Sequence, residues 1–119
     1  MATIFERYGG FSTIRKIVSD FYDKVLDSPS LEHYFVGVEM PRLVDHQAKF
    51  ISTITGGPAN VSNEEIRRAH TRLSISSEHF SEVAELLEET LEDHGMQPED
   101  IAYVMAEVGA RKAFVVSGG

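Results

Sequence analysis

Four polar side chains stand on or beside apolar helical faces, where an ordinary core would hold hydrophobic residues: Tyr22, His46, Gln47 and His70. Imidazole is the commonest metal ligand in proteins, and a buried phenol or amide needs a hydrogen-bond partner. A buried amide without one costs about 1–3 kcal/mol. Taken alone, each histidine fits a hydrogen-bonded, partly buried residue better than a ligand. Together, on different helices, the four predict a polar-lined pocket inside a hydrophobic shell, which is typical of a small-molecule or cofactor site.

Helices are predicted to position these side chains, because apolar residues recur with a period of three to four along most of the chain. The first helix carries such residues from Ile14 to Leu26, and Tyr22 borders this stripe. We expect Ser12 or Thr13 as its N-cap. It should end before Pro29, since proline disfavours a helical residue in front of it.

Four further helices follow. The second should begin near Pro41 and end at Gly56, and its apolar stripe comprises Leu43, Gln47, Phe50 and Ile54. A third is predicted over 64–73, a fourth over about 77–94 with Gly95 as its stop, and a fifth from Pro98 onwards. No alternating pattern is long enough for a sheet. The sequence therefore predicts an all-α fold.

Composition excludes several classes of function. The 119 residues suit one domain, 1–119, and carry a net charge of −8, which argues against nucleic-acid binding. There is no cysteine, hence no disulfide or thiolate metal site. No apolar run is long enough for a membrane span and no signal peptide is recognisable, so we expect a cytoplasmic protein.

Short motifs recur in a characteristic order along nearly the whole chain: Tyr8-Gly9-Gly10, Asp20-Phe21-Tyr22, Tyr34-Phe35, Arg42-Leu43, His46-Gln47, Gly56-Gly57-Pro58, Ala69-His70 and His79-Phe80. In order and spacing the chain resembles the group I truncated hemoglobins, and the cyanobacterial-type branch is most similar. The resemblance implies a 2-on-2 globin, in which two helix pairs sandwich a heme. Each Gly-Gly pair would permit a sharp corner of this shortened globin.

The same resemblance implies the iron ligand and the ligand-binding side. His70 would be the proximal ligand of the iron, and Tyr22 and Gln47 would donate hydrogen bonds to a diatomic ligand on the opposite, distal side. Leu43 occupies the place where longer globins often have a distal histidine. The distal side would therefore depend on Tyr22 and Gln47.

The walls of the heme site are implied in the same way. Phe35 would wedge against the heme, and Phe21 and Phe50 would pack on its distal side. Two heme propionates need cations in so acidic a chain. The candidates are Arg67, with Arg68 and Arg72 beside it, and Arg42 with Lys49 on the opposite side; a solvated helix face is an equally good interpretation of each.

His46 has two interpretations. In cyanobacterial-type relatives a histidine at the matching position ligates the iron, whereas in other members a base there meets a propionate. The covalent heme linkage of some relatives needs a C-terminal histidine, and this tail has none, so heme b should be held non-covalently. His33, His79 and His94 match no ligand role and are expected at the surface or at helix ends.

Three functions are compatible with these features. The first is the binding, storage or sensing of O₂ or another diatomic gas such as NO or CO, by a protein expected to be a monomer. The second is a nitric oxide dioxygenase that depends on an external reductase. The third, a helical domain that has lost heme, is disfavoured because Tyr22, Gln47 and His70 are all present.

Overall fold

The structure, a computed structural model, describes residues 3–58, 61–62, 64–66, 75–112 and 116. The helices are α1 (Ile4–Arg7), α2 (Phe11–Leu26), a 3₁₀ helix (Glu32–Phe35), α3 (Met40–Thr55), a short helical segment at 64–66, α4 (Ser77–Asp93) and α5 (Pro98–Gly109). These described ranges contain no strand, only an isolated bridge between Ile75 and Val116. The all-α prediction is confirmed. No helix among them is both long enough and apolar enough to cross a membrane.

The core forms where α2 packs against α3 and α4. On α2, Ile14, Ile17, Val18 and Val25 are almost fully buried, and their spacing places them on one face of the helix. Burial of each such side chain contributes about 1.5–3 kcal/mol. The predicted apolar stripe of the first helix is therefore confirmed, and so is its end at Leu26.

The start of α2 differs from the prediction. The N-cap is Gly10, not Ser12 or Thr13. Helix α2 therefore begins at Phe11, which is earlier than predicted. Gly10 has a φ of 77°, a conformation that serine and threonine rarely adopt. The preceding helix α1, which the sequence analysis did not predict, sets this corner and is held by a capping box between Thr3 and Glu6.

Helix α3 has two apolar faces where the sequence predicted one. Ile54 is buried as expected, but the main core stripe is the neighbouring one: Val44, Ala48, Ile51 and Thr55. Leu43, Gln47 and Phe50 are only partly buried and border a cavity. Their spacing of four and three residues gives them a common face, so α3 separates the core from the cavity.

The predicted ends of α3 and α4 are confirmed. Gly56 ends α3 in the left-handed conformation, with a φ of 93°. A side chain at Gly57 would overlap the Phe5 ring and the Ser52 hydroxyl, so α1 approaches the end of α3 closely there. His94 caps α4, and Pro98 starts α5 after a short turn.

A polar cluster joins α1 to α5. The carboxylate of Asp100 accepts hydrogen bonds from both terminal nitrogens of Arg7, at 3.0 and 2.8 Å, and from the hydroxyl of Tyr8, at 2.6 Å. The Tyr8 oxygen in turn accepts from the backbone N–H of Gln97. Hydrogen bonds from Arg7 and Tyr8 hold the pKa of Asp100 below its ordinary value.

This cluster predicts an acid-sensitive contribution to stability. Asp100→Asn should lower the melting temperature at pH 7 by several degrees, because it removes the charge that Arg7 meets. The lowered pKa means that the folded state binds the proton less tightly than the unfolded state. The stabilisation is therefore present at neutral pH and is lost as the pH falls below about 4. Thermal melts of both proteins from pH 7 to pH 3 should converge; a constant gap would contradict this role.

Candidate functional site

A cavity of about 350 Å³ lies between α2, the 3₁₀ helix, α3 and α4. The end of α5, with Val108 and the nearby Arg111, adds to its lining. Most of the described residues that line it are aliphatic or aromatic. Its aromatic walls include Phe21, Phe35, Phe50 and Phe80. Apolar walls of this kind bind a flat hydrophobic group by burying its apolar surface, and a few polar groups fix the orientation of the bound group.

Seven of the ten site residues predicted from the sequence line this cavity: Phe21, Tyr22, Phe35, Leu43, His46, Gln47 and Phe50. Arg42 is exposed and is not among the lining residues. Arg67 and His70 lie outside the described residues. The side chains brought together thus include the four assigned to the distal side, Phe21, Tyr22, Gln47 and Phe50.

Tyr22 is held by aromatic contacts and lies almost fully inside the protein. Its ring is 4.8 Å from that of Phe21 and meets the Phe35 ring edge-on at 5.8 Å. Only 8% of the residue is exposed. Among the described residues, none forms a hydrogen bond with its hydroxyl. Burial raises the pKa of Tyr22, so the phenol stays protonated and is available as a donor.

Gln47 and His46 face the cavity from α3. Gln47 lies one helical turn from Leu43 and less than one turn from Phe50, within the cavity-facing stripe. In the described parts of the chain neither the amide of Gln47 nor the imidazole of His46 has a hydrogen-bond partner. The cavity therefore carries several polar groups that no described residue pairs and that could form hydrogen bonds with an occupant.

A second polar pair, missed in the sequence analysis, forms part of the wall. His79 lies in the first turn of α4, as expected at a helix end, but its side chain lines the cavity. Its Nδ1 is 2.6 Å from the hydroxyl of Tyr34, and the His33 ring stacks on Tyr34 at 4.0 Å. Glu82, one turn further along α4, accepts hydrogen bonds from Ser28 and Ser30.

These contacts tie the segment around the 3₁₀ helix to α4, and this segment carries Phe35 into the cavity. Tyr34 precedes the predicted site residue Phe35, and both Tyr34 and His79 stand in motifs that carry the family resemblance. Neither signal specified which way the two rings would face.

Arg111 is a further polar lining residue that was not predicted from the sequence. Its guanidinium lies over the Phe50 ring, 5.6 Å from the centroid. It lies two residues beyond the last residue of α5 and three residues after Val108, which lines the same cavity. A basic residue beyond a helix C-terminus ordinarily indicates an interaction with the helix dipole, not a wall position.

The unpaired hydroxyl of Tyr22 predicts a stability test on the protein without any occupant. Tyr22→Phe should leave the free energy of unfolding unchanged or raise it by about 1–2 kcal/mol, since it removes a buried group without a partner. The matched control is Tyr8→Phe, which removes a hydroxyl bonded to Asp100 and Gln97 and should destabilise the fold. Urea unfolding measures both; equal destabilisation would mean that the Tyr22 hydroxyl has a structural partner.

Comparison with known proteins places this fold and cavity in a family. A family model described as bacterial-like globin matches residues 3–116. A group 1 truncated hemoglobin of Synechocystis sp. is 34% identical over 114 residues, 92% of each chain. The 2/2 hemoglobin from Synechococcus sp., solved in the cyanomet state with covalently attached heme, superposes with a TM-score of 0.89 at 28% identity, covering 97% of this chain and 98% of that chain.

A ferric tyrosine-to-phenylalanine mutant of the truncated hemoglobin from Tetrahymena pyriformis gives a TM-score of 0.86 at 25% identity, with 97% and 98% of the two chains covered. The 2-on-2 globin fold predicted from the sequence is thereby confirmed. Membership in the family supports a heme globin that binds diatomic ligands. The chain belongs to the bacterial-like globin family and, within it, to the group 1 truncated hemoglobins.

Proposed function

We propose that this chain binds one heme b non-covalently in the cavity, with His70 as the proximal ligand, and takes up O₂ or a related diatomic gas on the side of Tyr22 and Gln47. The observation that carries the proposal is that Tyr22 and Gln47, without partners among the described residues, face a cavity whose walls are mostly apolar. Donors that face an apolar cavity and have no partner in the protein are available to an occupant that supplies an acceptor.

The described residues fit a heme in their chemistry. Phe21, Phe35 and Phe50 offer aromatic surfaces to a flat, apolar ring. The sequence after α5 contains no histidine, which supports a non-covalent heme. For the carboxylates of the group we propose Arg67 and the exposed Arg42, which would meet them at the protein surface.

The heme, when bound, supplies an iron centre that coordinates a diatomic ligand. The protein's part is to bind and orient that ligand and to exclude water. The protonated phenol of Tyr22 on α2 and the amide of Gln47 on α3 line the same cavity, so both would donate to a ligand held there. A hydrogen bond from either to a negatively polarised ligand would contribute about 1.5–3 kcal/mol.

Titration with hemin tests the proposal as a whole. Absorbance at the Soret band should rise to a sharp end point at about one heme per chain, because the apolar cavity that Tyr22 and Gln47 face holds one ring. After reduction, CO should bind and shift the band. Absorbance that rises without an end point, as for hemin bound weakly to protein surfaces, would contradict the proposal.

Tyr22→Phe should speed the release of O₂ by about tenfold to a hundredfold, the effect of losing one hydrogen bond to a charged acceptor. Stopped-flow displacement of O₂ measures the rate. Gln47→Leu provides the companion variant from the other helix, and the effect of the double variant should exceed that of either single one. A Tyr22→Phe rate equal to that of the unmodified protein would remove Tyr22 from ligand binding.

His46 has no described hydrogen-bond partner and lines the cavity, which supports an inward role. We propose that it ligates the iron until a gas displaces it. The ligand-free ferrous protein should then be low-spin, and His46→Leu should convert it to high-spin in the visible spectrum. A high-spin spectrum before mutation would assign His46 to the other interpretation, in which it meets a propionate.

A further inference from the structure

Arg111 places a cation in the wall of the cavity. Its side chain lines the cavity, and only 21% of that side chain is exposed. Among the lysines and arginines that the structure describes, no other lines the cavity; Arg42 and Lys49 on α3 and Lys112 next to Arg111 are exposed. Arg111 therefore differs from the surface cations of this acidic chain.

The contacts of Arg111 leave much of its charge uncompensated. One terminal nitrogen, Nη1, donates to the backbone oxygen of Glu107 at 2.7 Å and lies 3.6 Å from the carboxylate of the same residue. That carboxylate is 36% exposed, so solvent screens part of its attraction. The Nε–H of Arg111 is buried and has no hydrogen-bond partner. The apolar ring of Phe50 covers the guanidinium.

A charge in such a wall acts strongly on any charge inside the cavity. At the same distance, the Coulomb energy between two charges is larger in weakly polar surroundings than in water. Within a porphyrin dianion, ferric iron leaves one net positive charge and ferrous iron leaves none. A guanidinium in the wall therefore disfavours the ferric state. Arginine stays protonated throughout, so reduction moves one electron and no proton at this residue.

We propose that Arg111 raises the reduction potential of heme iron held in the cavity and so favours the ferrous form that binds a diatomic gas. The inference rests on the proposed function, since it needs heme in this cavity. The electron comes from an external one-electron donor, which in the experiment is dithionite acting through mediator dyes.

Spectroelectrochemical titration of the heme-loaded protein tests the inference. Arg111→Met keeps much of the side-chain volume and removes the charge. At a fixed ambient potential it should lower the ratio of ferrous to ferric protein by about tenfold, a shift of about 59 mV to more negative potential for a one-electron couple. Arg111→Lys should restore most of the potential, because it keeps the charge. A purely structural role of Arg111 would not lower the potential in Arg111→Met and restore it in Arg111→Lys.

Two neighbouring variants serve as controls. Glu107→Gln removes the carboxylate that partly neutralises Arg111 and should shift the potential in the opposite, positive direction. Lys112→Met removes the same charge from the adjacent, exposed residue, where salt and water screen it, and should shift the potential much less than Arg111→Met.

The outcomes separate the two proposals. Failure of the unmodified protein to bind heme would contradict the proposed function. Heme bound in all variants at equal potentials would contradict the role of Arg111. A shift that vanishes with heme whose carboxylates are esterified would show that Arg111 binds a carboxylate, and would overturn the inference too. If Arg111→Met does not retain heme, Glu107→Gln still decides, since a positive shift supports the inference and no shift refutes it.

Discussion

The structure depends on one constraint: polar hydrogen-bonding groups are held inside an apolar cavity without partners from the described parts of the chain. Tyr22 is almost fully buried, and Gln47 stands within the apolar face of α3 that borders the same space. A polar group loses free energy comparable with a hydrogen bond only where neither protein nor water reaches it, so the cost in the empty protein falls mainly on the deeply buried Tyr22. A ligand that binds the folded state and pairs these groups would also stabilise the fold.

The helices make this arrangement possible because two of them meet the core and the cavity at once. Helix α2 buries Ile14, Ile17 and Val18 and carries Tyr22 on the adjoining surface. Helix α3 packs one stripe against α2 and turns another towards the cavity. The 3₁₀ helix completes the wall because hydrogen bonds from its neighbourhood to His79 and Glu82 hold it against α4. Core packing and site geometry are therefore set by the same contacts.

Local patterns predicted much of this fold, and they singled out Tyr22, His46 and Gln47 as polar residues on or beside apolar stripes, where the structure shows them lining the cavity. Apolar spacing and the signals at Pro41, Gly56, Gly95 and Pro98 located the helices, since these features act within a turn or two of the chain. The polar side chain of Gln47 was conspicuous against an apolar stripe. The predicted N-cap of α2 was wrong. Ser12 and Thr13 are of the residue types that N-caps prefer, and the sequence did not indicate that Gly10 has a positive φ.

Long-range packing decided what the sequence did not predict. Tyr34 and His79 meet across 45 residues, and Arg111 reaches Phe50 across 61, so no local spacing relates either pair. The buried stripe of α3, which begins at Val44, was also missed. Periodicity identifies an apolar face but does not show whether that face packs against the core or borders a cavity. Arg67 and His70, which the sequence assigns to the heme, lie outside the described residues and remain predictions.

The central claim is that the imidazole of His70 anchors heme in this cavity, and one measurement addresses it directly. His70→Gly is prepared and titrated with hemin in the absence and presence of free imidazole, with His33→Gly as the matched control. We predict that His70→Gly loses the Soret band of the bound form, that imidazole restores it, and that His33→Gly binds as the unmodified protein does. An unchanged Soret band in His70→Gly without imidazole would contradict the account.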